Sequence, residues 1–234
     1  MNFMLDSINL DDIGFAHKHF AICGVTSNPS IIKKEGNVDL VTHLKAIREI
    51  IGTERSLHVQ AVGDTAEEMV KEAQRICSKV DREVYIKIPA TTEGFLAMKE
   101  LHRQGIHVTA TVVYTQLQAM MAAACHVEYI APYYNRMEAM GMEAEHVIGG
   151  IRQVFDRNHC HSRILAASFK NPFQVEKAIC AGAHCVTVQP QMLKEVFEAV
   201  YIKKAVEDFK SDWASLYGEK LVGESLPERI VGPV

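Results

Sequence analysis

Short apolar runs alternate with longer stretches of helical periodicity from one end of the chain to the other. The runs occupy residues 3–5, 24–26, 57–62, 84–88, 107–113, 129–133, 163–169 and 185–188. The central ones are rich in Val, Ile and Tyr and almost continuously apolar, as parallel strands covered on both faces should be. Between them lie segments such as 65–80 and 92–103, whose apolar positions recur at helical spacing. In the first, Met69, Ala73, Ile76 and Val80 share one face and leave Glu67, Glu68, Lys71 and Glu72 to water. Eight such runs alternating with helices predict an α/β fold, a closed (β/α)8 TIM barrel. A doubly wound open sheet is the alternative with the same alternation.

The pattern changes at the end of the chain. Over 199–217, Ala199, Ile202, Val206, Phe209, Trp213 and Leu216 recur at spacings of 3, 4, 3, 4 and 3, a sustained stripe on an additional C-terminal helix. Gly218, Gly223, Pro227, Gly232 and Pro233 then end the helix and predict an extended tail over 218–234. The expected organisation is a single barrel with its C-terminal helix over 1–217, followed by that tail. Because the barrel's own helices are already accounted for, the stripe is expected to serve assembly. Its alternative is a cap on the same subunit's barrel.

Composition narrows the function classes. A length of 234 residues suits one β/α barrel. The net charge of −4 gives no electrostatic case for nucleic acid or an anionic membrane. Any positive field for a phosphorylated substrate must therefore be local. No apolar stretch approaches the roughly 18 residues of a membrane span, and the opening MNFMLDS has no signal-like pattern. Six cysteines without C-x-x-C spacing read as reduced thiols, so the expected location is the cytoplasm. His159-Cys160-His161 lacks a second pair of ligands nearby and reads as a solvated loop, leaving no metal site expected.

Polar residues stand where a barrel should be apolar. Burying an unpaired polar group costs on the order of 1–3 kcal/mol. Yet Asp6, Asn28, Gln60, Lys87, Thr111, Tyr133 with Arg136, and Ser168 with Lys170 fall at or just beyond the C-terminal ends of successive runs. That is the end at which barrel active sites are built. Lys87 is the sharpest misfit, between Ile86 and Ile88 in VYIKIPAT. Desolvation favours a neutral amine, and a neutral amine attacks a carbonyl to give an imine. The alternatives are a structural ion pair with Asp6 or a lysine snorkelling to the rim. Lys170, beyond Ser168, is the rival nucleophile and reads better as a rim cation.

The stretches FMLDS, GVTSNPSIIKKEG, HVQAV, YIKIPATTEG, TATVVY, EYIAPYYNRM and LAASFKNP resemble, in order and spacing, the small-subunit transaldolase family, and within it the fructose-6-phosphate aldolase branch. The resemblance covers residues 3 to about 175, and the final helix also fits. It implies a metal-free, cofactor-free class I aldolase with Lys87 as the Schiff-base residue and Asp6 assisting proton transfer. It implies that Thr26 and Asn28 orient a keto-sugar, that Gln60, Thr111 and Tyr133 position a catalytic water, and that Arg136 and Ser168 meet a phosphate. Partners would be sugar phosphates, with rings of subunits, pentamers or stacked pairs of them, joined by the last helix.

The branch turns on two positions. Transaldolases of this family place a glutamate where this chain has Gln60, and commonly a phenylalanine where it has Tyr133. The Gln60/Tyr133 pair therefore points to cleavage of fructose 6-phosphate into dihydroxyacetone and glyceraldehyde 3-phosphate. The runner-up is a transaldolase moving the same unit from sedoheptulose 7-phosphate to glyceraldehyde 3-phosphate, and a remote third is a non-catalytic sugar-phosphate-binding barrel. Ser7 and Ser27 stand where the family usually has Thr, and Met142 and the tail also depart from its pattern.

Overall fold

Eight parallel strands close on themselves in chain order, each hydrogen-bonded to its sequence neighbours and β8 to β1. They are β1 (Asn2–Asp6), β2 (Ile22–Thr26), β3 (Ser56–Gln60), β4 (Val84–Pro89), β5 (Val108–Val113), β6 (Tyr129–Pro132), β7 (Arg163–Ala166) and β8 (Cys185–Val188). The structure is a computed structural model and describes residues 1–225. The connections are α1 (Leu10–His19), α2 (Pro29–Glu35) with α3 (Leu40–Ile51), α4 (Ala66–Lys79), α5 (Thr92–Arg103), α6 (Gln116–Ala124), α7 (Tyr134–Ala139) with α8 (Ala144–Arg157), and α9 (Pro172–Cys180). The expected (β/α)8 barrel is the observed one.

Local chemistry sets the helix starts. Side chains of Asn9, Asn28, Asp39, Thr65, Thr91, Thr115 and Asn171 accept from backbone N–H groups of the first turn, each satisfying donors the helix cannot. Thr65 with Glu68 and Thr115 with Gln118 form complete capping boxes. Several apolar runs outlast their strands. As strands the run 57–62 ends at Gln60 and the run 163–169 at Ala166, although Ala61 still donates to the Lys87 carbonyl and Ala167 still bridges Tyr133. Ala61, Ala167 and Phe169 are nevertheless buried, because packing at the barrel mouth continues beyond the ladder.

The two-residue period of the strands sorts the interior. Leu5, Val25, Val59, Ile86, Ile88, Ala110, Ile130, Ile164 and Val186 are buried on the outward pleat. Burying such a side chain contributes about 1.5–3 kcal/mol. On the inward pleat Met4, Tyr129, Leu165 and Cys185 pack together. Nearer the C-terminal ends of the strands, Asp6, Thr26, Gln60, Lys87, Thr111 and Thr187 take the inward positions. The apolar layer is thus a floor and the polar layer a mouth.

The residues group into two units, Met1–Met192 and Leu193–Val234, with α10 (Pro190–Phe197) spanning the boundary. In the second unit α11 (Val200–Tyr217) matches the predicted last helix, and none of its residues is buried. Trp213 stacks on Tyr217 at 4.3 Å, and its indole Nε1 donates to the Lys220 carbonyl at 2.7 Å. The described part of the predicted tail contains a 3-10 turn at Val222–Ser225; residues 226–234 lie outside the described ones. Among the described residues no helix is long and apolar enough to cross a membrane.

One close approach is testable. A Cβ built on Gly94 in α5 would lie 1.8 Å from the carbonyl oxygen of Pro89, at the end of β4, whereas one on Gly14 in α1 meets nothing within 4 Å. Gly94→Ala should lower the unfolding free energy by about 1–3 kcal/mol as an overpacked contact. Gly14→Ala should raise it by about 0.5–1 kcal/mol through helix propensity. Urea denaturation of both variants checks the pair, and equal behaviour would contradict the packing described.

Candidate active site

The mouth layer opens into a cavity of about 370 Å³ at the C-terminal ends of the strands. Its wall includes Asp6, Asn28, Gln60, Lys87, Tyr133 and Arg136, with Ser168 and Lys170 on the far side. A larger cleft of about 670 Å³ is lined by His102, Phe155 and Cys160 from the C-terminal ends of helices and the loops entering β6 and β7. That is the opposite end of the barrel, where barrel enzymes keep stability rather than chemistry.

Lys87 is 5% exposed, and its Nζ donates to the Ser27 carbonyl at 2.7 Å. Burial pulls its pKa below the ordinary lysine value, against the opposing pull of the Asp6 charge. Asp6 moves the other way: burial raises it, while Lys87, a hydrogen bond from Thr26 and the charge of Lys34 hold it down. The two shifts bring an acid and a base toward each other in proton affinity, which eases proton transfer within the site. The Thr26 hydroxyl donates to Asp6 Oδ1 at 2.7 Å, so Thr26 stands behind Asp6 and off the cavity wall.

On the other side of Lys87, the β3–β4 register sets Gln60 beside it. Gln60 Oε1 is buried with no hydrogen-bond partner among the described residues. An acceptor in that condition is a seat for water or a ligand hydroxyl. Thr111 Oγ1 and the Tyr133 hydroxyl are 2.8 Å apart, so the threonine reaches the site through the tyrosine. Burial raises the Tyr133 pKa; Thr111 and Arg136 act against it. The Arg136 guanidinium lies over the Tyr133 ring, 5.1 Å from its centroid, which leaves its donors at the exposed rim. Ser168 sits beside this rim with φ of 65°, a left-handed conformation uncommon outside glycine.

Asn28 caps α2 with its Oδ1, which accepts from the N–H groups of Ser30 and Ile31 at 3.0 and 3.1 Å. Its amide NH2 has no protein acceptor among the described residues and is available to the cavity. The Lys170 side chain is exposed at the edge, consistent with a rim cation. The structure thus brings Asp6, Asn28, Gln60, Lys87, Tyr133, Arg136 and Ser168 to one cavity and sets Thr26 and Thr111 one shell behind it.

Three contributors escaped the sequence reading. Lys34, which lines the cavity and bears on Asp6, is carried by the seven-residue helix α2. The Asn28-Pro29 start of that helix, cap then proline, was its signal. His58, one inward position below Gln60, is fully buried and hydrogen-bonded at both nitrogens, to Thr109 Oγ1 and Ser56 Oγ at 2.8 Å. Burial holds its pKa well below the ordinary imidazole value, so it sits neutral beneath Lys87. Thr187 on β8 reaches Thr26.

The family model described as transaldolase/fructose-6-phosphate aldolase matches residues 3–220. A probable fructose-6-phosphate aldolase of Streptococcus pneumoniae is 42% identical over 213 residues, covering 91% of this chain and 96% of that one. A probable transaldolase of Lachnoclostridium phytofermentans is 33% identical over 219 residues, and one of Brachyspira hyodysenteriae 32% over 219; both alignments cover 94% of this chain and 100% of the relative.

The depressed Lys87 gives a pH test. Its neutral form becomes populated at lower pH than that of a free lysine amine, whose value is 10.5. Borohydride trapping with a small ketone should therefore speed up with pH and level off below 10.5. Peptide mapping should place the adduct on Lys87, with none in Lys87→Met and full labelling in Lys170→Met. A label on Lys170 would reverse the assignment.

Proposed function

We propose that this chain, which belongs to the transaldolase/fructose-6-phosphate aldolase family, is a class I aldolase that interconverts fructose 6-phosphate with dihydroxyacetone and glyceraldehyde 3-phosphate. The observation that carries the reading is the buried Lys87 amine beside the half-buried Asp6 carboxyl at the catalytic end of the barrel.

The neutral Lys87 amine attacks the C2 carbonyl, and the protonated Asp6 carboxyl gives its proton to the departing hydroxyl, so that loss of water leaves a protonated imine and an Asp6 carboxylate. The C3–C4 bond then breaks: its electrons pass into the imine to give an enamine, and the C4 hydroxyl proton goes to the Asp6 carboxylate. Glyceraldehyde 3-phosphate leaves. Protonation of the enamine at C3 and attack of water on the imine carbon free dihydroxyacetone and restore the amine. Gln60 with its unpartnered Oε1, and Tyr133 with Thr111 behind it, are suited to hold that water and move its proton. The Asn28 amide is suited to the donor hydroxyls, with Thr26 acting through Asp6. Arg136, with its planar fork of donors, and Ser168 are suited to the phosphate of the aldehyde.

The second reading is transaldolase, favoured by the names of the Lachnoclostridium and Brachyspira relatives. It differs in one step: the three-carbon imine is kept for a second aldehyde instead of being hydrolysed. The Gln60/Tyr133 pair supports hydrolysis. Assembly into rings through α11 belongs to the same proposal, since Phe209 and Leu216 of its stripe are exposed. So does work in the cytoplasm.

Supplied with fructose 6-phosphate alone, the protein should release free dihydroxyacetone. Release that depends strictly on erythrose 4-phosphate would mean transaldolase. Tyr133→Phe removes a hydroxyl and little volume, and should slow hydrolysis about a hundredfold while slowing transfer less.

Arg136→Ala should raise the KM for phosphorylated aldehydes by about tenfold, equivalent to about 1.4 kcal/mol, and hardly change it for unphosphorylated ones. Steady-state kinetics with both aldehyde types decides; an equal penalty on each would make Arg136 structural.

A further inference from the structure

Asp6 lies on β1 between two strands, β2 and β8, and each sends a threonine toward it. Thr26 on β2 pairs in register with Asp6, and Thr187 on β8 with Met4. Both threonines are buried, at 1% and 4% exposure. Thr26 Oγ1 is 2.7 Å from Asp6 Oδ1 and 2.7 Å from Thr187 Oγ1. Thr187 therefore does not touch the cavity, but it is the second member of a chain ending on the carboxylate.

The direction of the chain follows from counting hydrogens. An ionised carboxylate only accepts, so the single hydroxyl hydrogen of Thr26 goes to Asp6. Thr26 Oγ1 has no second hydrogen for Thr187, so Thr187 must donate to it. A hydroxyl that accepts a hydrogen bond becomes a better donor, and the dry setting strengthens both bonds. We propose that Thr187 is a positioning residue for the catalytic carboxylate, donating to Thr26 so that Thr26 holds Asp6 Oδ1 and leaves Oδ2 for the reacting proton.

The arrangement favours the charged form of Asp6. If the proton entered Oδ1, Asp6 would donate to Thr26 and Thr26 to Thr187. The Thr187 hydrogen would then lose its acceptor in a buried place. If the proton entered Oδ2, Oδ1 would become a weaker acceptor for the same chain. In both cases the chain is worth less than with the carboxylate ionised. The charged or titratable groups facing Asp6 from the other packed elements are Lys87 on β4, Lys34 on α2 and Tyr133 beyond β6. The first two hold the carboxylate down, as the Thr26 hydrogen bond does. The threonine pair is thus the neutral counterpart of the two lysines.

This inference rests on the catalytic reading of Asp6, and two independent measurements separate them. The first is the titration of the Asp6 carboxyl by NMR on protein carrying 13C-carboxyl aspartate, with Asp6→Asn identifying the resonance. Thr187→Val keeps the branched shape and removes the donor; Thr187→Ser keeps the donor and removes a methyl group. The Asp6 midpoint should rise by about half a pH unit in Thr187→Val, a threefold change in proton affinity, and stay near wild type in Thr187→Ser. A midpoint unmoved in Thr187→Val overturns the proposal. So does a serine variant shifted more than the valine one, which is the order a space-filling role would give.

The second measurement is the pH profile of fructose 6-phosphate cleavage. Its acid limb should move with the NMR midpoint, and kcat should fall several-fold with KM little changed. In the Asp6→Asn background the valine substitution should add no further loss. A shifted NMR midpoint with an unshifted limb would overturn the catalytic role of Asp6, and with it the functional meaning of Thr187, while leaving the hydrogen-bond chain intact.

Discussion

Everything at the mouth of the barrel depends on keeping one amine dry. Lys87 stands on a strand whose neighbours on the outward pleat are Ile86 and Ile88, and among the described residues its amine has one hydrogen-bond partner, the Ser27 carbonyl. Removing a charge from water is expensive, and a single carboxylate nearby does not fully compensate. The fold resolves this by shifting both groups toward neutrality, which is also the state in which an amine is a nucleophile. The electrostatic cost of the site and its reactivity are therefore one quantity viewed from two sides.

The layers below and around the amine follow from this. The apolar floor of Met4, Tyr129, Leu165 and Cys185 excludes water from beneath it. His58, held neutral between Thr109 and Ser56, fills the intervening level without adding a charge. The cations Arg136 and Lys170 are kept at the exposed rim, where their charge raises the local field at little desolvation cost. A chain of net negative charge can thus present a positive mouth.

What was legible in the sequence was whatever violated its own surroundings. Lys87 and Asp6 declared themselves as charges at the ends of apolar runs, and the alternation of runs and helices gave the barrel. Features that violate nothing were silent. Thr187 in a short strand reads as an ordinary β-branched residue, and only the register of β1 against β2 and β8 brings it to Thr26. Thr26 was read as a substrate contact, but its hydroxyl is committed to Asp6 because its strand pairs it directly with that residue. Lys34 lies on a helix too short for periodicity to reveal. Val112 adopts φ of 58° where β5 slips register against β6, and no residue type signals such a conformation in a β-branched side chain.

Asn28 carries two obligations at once. Its oxygen starts α2, and its amide nitrogen faces the cavity. Aspartate would start the helix equally well, but would bring a second negative charge near Asp6 and offer no N–H. Serine or threonine would start it too, with a shorter reach into the cavity. Alanine would satisfy neither requirement. Evolutionary drift at this position is thereby confined: the residues that can start the helix and those that can offer a donor to the cavity barely overlap, so a side chain of four heavy atoms ties the folding of one helix to the lining of the cavity.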